Sequence, residues 1–425
     1  MDEKNVALEG IRKKLVGKTL SYKEIYAIMD QISDDKLGDI LTTYFVASGY
    51  SKGFSDDEIY YLTRAMVETG EHLYFKGIVA DKHSIGGVPG TRATLIVVPI
   101  IAAAGYTIPK SSSRAITTPA GTADAMEVLA KVTFSKEEIY QIVEKTKGCI
   151  VWGGSFKIAP ADDEIIRIEE PLLFESYDKI LVSVMAKKIA FGSTHVIIDL
   201  PYGKTVKIHR PEEAEVLKKK FEYLAKKFNI TLEAIPHKVD EPAGHGIGPL
   251  LETRDSLKVL EQDKNRPLPL EDLALDLAGK LLGLCLTDSS KEKKDEIKEK
   301  YKNTREWAKD ILVSGSALKK FKEIIQAQKG DPEVTSRSLK PGKYEKIIKA
   351  EKSGEVTKII NKNITILAKI LGAPEERDAG MVIYKRMGEK VTKGEDLATL
   401  YSNSEYRINE AMDSHDIFPL FEIDN

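Results

Sequence analysis

Over the first 75 residues, apolar positions recur at helical spacing; Ile25, Ile28, Met29 and Ile32, for example, share one face. Ser21-Tyr-Lys-Glu24 and Ser55-Asp-Asp-Glu58 are capping-box patterns ahead of such runs, so this stretch predicts a set of helices. From residue 78 the pattern alternates. The run 94–104, rich in Val, Ile and Ala, reads as a buried strand or a strand–helix unit. A third capping box, Ser135-Lys-Glu-Glu138, opens a helix ending near Lys147-Gly148, and 149–152 reads as a buried strand stopped by Gly153-Gly154. Residues 170–190 read as helix around Ile180, Val184 and Ala190. Strands are expected at 196–200 and 230–235, and an amphipathic helix with proline at its start at 211–228. Alternation of this kind predicts a doubly wound α/β domain. In the run 290–300, charges of both signs fall at i,i+3 and i,i+4, the pattern of a solvated helix face. A break follows near Ser338-Leu-Lys-Pro-Gly-Lys343. Beyond it, Gly354-Glu-Val, Gly380-Met-Val-Ile-Tyr and Met387-Gly-Glu-Lys-Val-Thr-Lys-Gly394 read as short strands and turns of a small structural unit.

Composition narrows the picture in a few respects. A chain of 425 residues predicts two or three domains. A formal net charge of −2 gives no global field for nucleic acid. No unbroken apolar run is long enough to cross a membrane, and Met1-Asp-Glu-Lys-Asn is too polar to open a signal peptide. Cys149 and Cys285 sit in apolar surroundings and read as buried free thiols, which fits a cytoplasmic protein. The histidines show no metal-ligand spacing, so no metal and no cofactor are expected.

The chemistry concentrates in two polar, glycine-bearing loops that flank the apolar run. The first offers Lys82, His83, Ser84, Gly86 and Gly87; the second offers Ser111, Ser112, Ser113, Arg114, Thr117, Thr118, Gly121 and Thr122. Hydroxyls, backbone N–H groups, a lysine and an arginine are the groups that hold a phosphate. Neither loop is a P-loop or a dinucleotide fingerprint, and glycine–serine clusters often form plain turns.

The segment Ser112-Ser-Arg-Ala-Ile-x-x-x-Ala-Gly-Thr-x-Asp-x-x-Glu127 closely resembles the signature of the thymidine phosphorylase family, departing from it at Pro119 and Met126. This group of glycosyltransferases includes pyrimidine-nucleoside phosphorylases and AMP phosphorylases. Ala159-Pro-Ala-Asp162, Ser183-Val-Met-Ala-Lys-Lys188 and Gly246-Ile-Gly-Pro-Leu-Leu-Glu-Thr-Arg254 extend the likeness over nearly the whole chain. The resemblance implies a nucleoside phosphorylase/phosphoribosyltransferase-like α/β fold with a separate all-helical domain and a small C-terminal α/β domain. The corresponding boundaries are 1–75 with 163–193 for the helical part, 76–162 with 194–337 for the α/β part, and 338–425 for the tail.

By the same resemblance, Lys82, Ser84, Thr94, Ser112 and Thr122 hold inorganic phosphate, and Ser183 and Lys187 grip the base. In the pyrimidine branch an arginine joins that pair, but Glu169 stands in its place here, with Arg167 two residues earlier. Ile85-Gly-Gly-Val-Pro-Gly90, Trp152-Gly-Gly154 and Gly203-Lys-x-x-Lys207 instead resemble the AMP phosphorylase branch. That branch implies substrate contacts from Gly87, Ser113, Arg114, Ala115, Ile116, Thr117, Thr118, Thr122 and Lys207. Glu175 and His83 are the candidate catalytic residues, Glu175 because it occupies the place of an aspartic acid that protonates the purine. Arg114 and Lys207 suit a nucleotide 5′-phosphate.

The implied reaction is phosphate-dependent release of the base from AMP, CMP or UMP, giving ribose 1,5-bisphosphate. The alternative is a thymidine or pyrimidine-nucleoside phosphorylase giving a sugar 1-phosphate. The partners expected are inorganic phosphate and a nucleotide or nucleoside. The chain starts directly at the helical domain, whereas AMP phosphorylases carry an extra N-terminal domain associated with assembly; a homodimer is therefore expected, with Ile25, Ile28 and Met29 as its apolar face.

Overall fold

Four helices, Glu3–Leu15, Tyr22–Ser33, Gly38–Lys52 and Asp56–Glu68, build an N-terminal bundle in the computed structural model, which describes residues 3–115, 118–169 and 176–424. The helices Pro160–Glu169 and Tyr177–Ala190 pack onto this bundle from later in the chain. Ser21, Ser55 and Ser135 each form the reciprocal capping box: the serine hydroxyl accepts from the third helical N–H, and the glutamate there accepts from the serine N–H. Ser135→Ala is expected to weaken the start of helix Lys136–Thr146 by about 1 kcal/mol, lowering amide-exchange protection there about fivefold. Unchanged protection would show that the cap is not what holds that end.

Ile25, Ile28 and Met29 are fully buried inside the bundle. This corrects the expectation that they form a dimer face, because an amphipathic stripe marks a buried face without telling a domain's own core from a partner's. On the helix Gly38–Lys52, the large apolar side chains left exposed are Ile40, Tyr44 and Tyr50.

Five strands follow: β1 (Ala80–Ser84), β2 (Ile108–Ser112), β3 (Gly148–Trp152), β4 (His195–Tyr202) and β5 (Thr231–Lys238). β1 pairs with β4, β4 with β5 and β2 with β3, all in parallel. A parallel bridge from Val79 to Thr107 sets β2 beside β1, so the strands run in the order β3-β2-β1-β4-β5. Both faces are covered, as a parallel sheet requires. Ile197 packs with the helices Thr94–Ala103, Leu268–Thr287 and Ser316–Ala327. Val196, Ile198 and Leu200 share a core with helix Pro211–Lys227 and with the bundle itself, so bundle and sheet are joined by one continuous apolar layer.

The run 94–104 is a helix, Thr94–Ala103, and neither a strand nor a strand–helix unit. Every residue from Thr94 to Ala102 is buried, so it lacks the polar face that marks a helix in sequence. The charged run forms the solvated helix Lys291–Lys300, which buries only Ile297.

The C-terminal unit has its own core, built on the strands Tyr344–Lys349, Gly354–Ile359, Gly380–Ile383 and Asp396–Ser402 and the helices Asn361–Leu371 and Glu405–His415. The two-residue strand Gly246–Ile247, from the central unit, pairs antiparallel with Gly380–Ile383 and extends this sheet. Nearby, the Arg386 guanidinium donates to the carbonyls of Pro242, Ala243 (3.2 Å) and Gly244 (3.0 Å). The fold is therefore the expected one: a helical bundle, a central α/β unit and a small C-terminal unit. Among the described residues, no helix is long and apolar enough to cross a membrane.

Candidate active site

Parallel sheets bind ligands beyond the C-terminal ends of their strands. Ser84, Ser112, Pro201 and Lys238, at or near those ends of β1, β2, β4 and β5, line a cavity of about 550 Å³ that helix Tyr177–Ala190 closes from the bundle side. The same cavity is lined by Lys82, His83, Gly87, Thr94, Ser113, Arg114, Thr118, Thr122, Ser183, Lys187 and Lys207. Both loops and the helix carrying Ser183 thus converge, although Lys82 and Ser183 lie about 100 residues apart in sequence. Ala115 lies beside the cavity without lining it; its N–H donates to Asp124 (2.7 Å). Ile116, Thr117 and Glu175 lie outside the described residues.

At one end Lys82, buried, donates to the Ser84 hydroxyl and lies 3.4 Å from the Thr94 hydroxyl. Burial pushes the Lys82 ammonium below its ordinary range, and Asp199, 4.0 Å away, opposes that. Ser84 donates to Asp199 (2.6 Å), whose other oxygen meets His237 Nε2 (2.6 Å). Burial alone would raise the Asp199 carboxyl; His237 and Lys82 outweigh it and hold the carboxyl low. The Ser112 hydroxyl is buried and has no hydrogen-bond partner among the described residues, which leaves a donor for a ligand. Thr122 accepts from Arg92 (3.4 Å), and Arg92 is fixed by buried Glu252 (2.7 Å) and by the Ala120 carbonyl (2.8 Å).

At the other end, Ser183 and Lys187 sit one helical turn apart and both engage buried Asp162, at 2.6 and 2.7 Å. Burial works against the Lys187 charge, but Asp162 overcomes it and raises the ammonium's pKa. One Asp162 oxygen is buried with no hydrogen-bond partner among the described residues. Glu169 forms an ion pair with Lys179, which lines the cavity; Arg167 pairs with Asp39 and Glu164 and does not line it. His83 stands between the two ends. Burial first, then Lys188, Lys110, Lys82 and Lys187, hold its imidazole well below the ordinary range, so it is neutral at pH 7.

Gly87 has φ +101°, and a Cβ there would fall 3.0 Å from Lys207 Cγ, so only glycine lets these two segments approach so closely. The Arg114 guanidinium is bound by Asp124 (3.1 Å) and Glu127 (2.7 Å) and lies 5.0 Å from the Trp152 ring, so most of its charge is compensated within the protein. Arg92, Lys110, Lys188, Asp199 and His237 also line the cavity and were not singled out from the sequence. A lysine directly ahead of Ser111-Ser112-Ser113 was the available signal for Lys110; the others acquire meaning only through partners distant in sequence.

Three family models match the chain: the glycosyl transferase family helical bundle domain at residues 8–70, the glycosyl transferase family a/b domain at 76–318, and the pyrimidine nucleoside phosphorylase C-terminal domain at 355–416. The AMP phosphorylase of Thermofilum pendens is 44% identical over 403 residues, covering 95% of this chain and 75% of that protein. The AMP phosphorylase of Natronomonas pharaonis is 41% identical over 411 residues, covering 95% and 79%. Among solved structures, anthranilate phosphoribosyltransferase from Thermus thermophilus superposes with a TM-score of 0.59 at 16% identity, over 76% of this chain and 99% of that one, which is a likeness of fold.

Proposed function

The chain belongs to the glycosyl transferase family with helical bundle and α/β domains, and on that premise we propose that it is a phosphorylase of nucleoside 5′-monophosphates. An oxygen of inorganic phosphate bonds to the anomeric carbon while the C–N bond to the base breaks. The base leaves with the bonding electrons and takes a proton, and ribose 1,5-bisphosphate remains. Carrying this reading is a single cavity with Lys82, Ser84, Thr94 and the unpartnered Ser112 hydroxyl at one end and Ser183 with Lys187 at the other. It is supported by AMP phosphorylases of over 40% identity across nearly the whole chain.

In this reading Lys82, Ser84, Thr94, Ser112 and Thr122 seat phosphate beside the sugar, where the negative charge of the anion they hold stabilises the oxocarbenium-like transition state. Ser183 and Lys187 hold the base, and Glu175 supplies its proton. Neutral His83 hydrogen-bonds the substrate between the two ends. Gly87, the 113–118 segment and Lys207 receive the nucleotide, its 5′-phosphate lying toward Arg114 and Lys207. The enzyme acts as a homodimer in the cytoplasm.

Base release from AMP, CMP, UMP, uridine and thymidine, each with and without phosphate, tests the proposal. The expected result is phosphate-dependent release, fastest from a monophosphate. Release independent of phosphate would overturn phosphorolysis; uridine or thymidine cleaved faster than every monophosphate would move the enzyme to nucleosides.

A further inference from the structure

Resting on the phosphorolysis reading, we propose that Asp162 is a positioning residue that fixes the polarity of the base site. It holds Ser183 as an acceptor and Lys187 as a donor, so the base is read by an N–H lying beside an acceptor. Asp162 is fully buried in the first turn of helix Pro160–Glu169 and does not line the cavity. Ser183 and Lys187, one turn apart on helix Tyr177–Ala190, do line it. A single oxygen of the Asp162 carboxylate accepts from both, from the Ser183 hydroxyl at 2.6 Å and from the Lys187 ammonium at 2.7 Å.

The protons on these three groups set the polarity. A carboxylate paired with an ammonium only accepts, so the Ser183 proton is committed to Asp162. Of the two lone pairs on the Ser183 oxygen, one faces Lys187, which donates to it at 3.4 Å. What Ser183 has left for a ligand is therefore a lone pair. Lys187 carries three N–H groups. One goes to Asp162 and one to Ser183, which leaves one for a ligand. Burial works against its charge, and Asp162 keeps it an ammonium. Ser183 and Lys187 thus offer an acceptor and a donor side by side. Along its amino edge adenine carries the complement, an N–H donor beside a ring-nitrogen acceptor. Hypoxanthine, nearly the same in outline, carries a carbonyl acceptor beside a ring N–H and sets like against like at both positions. A base so mismatched leaves polar groups of the site unsatisfied, which is how such a site discriminates.

Phosphate-dependent base release by the full chain from AMP and from IMP, compared as a ratio of kcat/KM values, tests this. The unmodified protein is expected to favour AMP by about tenfold or more. Asp162→Ala and the near-isosteric Asp162→Leu free the Ser183 proton, while Lys187, which opens onto the cavity, keeps water as a partner. Both are expected to narrow the preference to about threefold or less. Asp162→Asn retains an oxygen that accepts from both groups and is expected to keep most of the preference. The ratio does not depend on how much of a preparation is folded, so a loss of stability alone leaves it unchanged. IMP cleaved as fast as AMP by the unmodified protein overturns the inference. So does a preference that survives in the two acceptor-free variants, or one that Asp162→Asn loses as completely as they do. If neither nucleotide releases its base with phosphate, the phosphorolysis reading itself fails.

Discussion

Lys82→Ala is expected to lower kcat/KM for phosphate-dependent base release by about 10²-fold or more, a loss of the size seen when an electrostatic donor that holds a reacting group is removed. Lys82 is a buried cation at the end of the cavity proposed to hold phosphate, within reach of the Ser84 and Thr94 hydroxyls. If Lys82 holds the attacking anion as proposed, its removal weakens phosphate binding and loosens the anion's position against the anomeric carbon, so phosphate KM should rise and kcat should fall together. Asp199 keeps its hydrogen bonds to His237 and Ser84, so the sheet edge should retain its shape. Steady-state kinetics with phosphate and nucleotide varied separately, beside a thermal melt, give the answer. A loss smaller than about tenfold in a folded variant would show that Lys82 is not the main phosphate cation.

Glu252→Ala is expected to be the most destabilising of the single changes considered, by about 3–5 kcal/mol, because it strips the partner from a buried charge. Glu252 is fully buried. It binds Arg92 and accepts from the backbone N–H groups of Gly90 (3.2 Å) and Gly248 (3.3 Å). Without it Arg92 has no carboxylate partner among the described residues, and two buried donors lose their acceptor. Glu252→Gln keeps an acceptor for the backbone groups and should cost less. A urea midpoint unchanged in Glu252→Ala would contradict this reading. Because Arg92 also holds Thr122 and the Ala120 carbonyl, any variant that still folds should bind phosphate less well.

Local signals carried far in this chain. Ser21, Ser55 and Ser135 started helices because a capping box needs only four adjacent residues, and the strand before Gly153-Gly154 declared itself by composition. The loops around Lys82 and Ser112 were legible because hydroxyls, glycine and a cation cluster there in sequence. What stayed hidden depends on residues far apart. Glu252 meets Arg92 across 160 positions, His237 meets Asp199 across 38, and Lys188 meets Asp81 across 107. No window of sequence contains such a pair. Thr94–Ala103 misled because a helix buried on every side has no period to read. Ile25, Ile28 and Met29 misled in the opposite sense: their period was right, but it did not reveal what the face meets.

The strand Gly246–Ile247 turns the C-terminal unit from an appendage into part of the cavity's frame. Residues 239–243 form one wall of the cavity, and a few positions later the same stretch of chain enters the C-terminal sheet. Arg386 reaches back from that unit to grip Pro242, Ala243 and Gly244. A rotation of the C-terminal unit is therefore also a displacement of that cavity wall. Substitutions in its sheet, remote from any reacting atom, would alter how wide that cavity stands open.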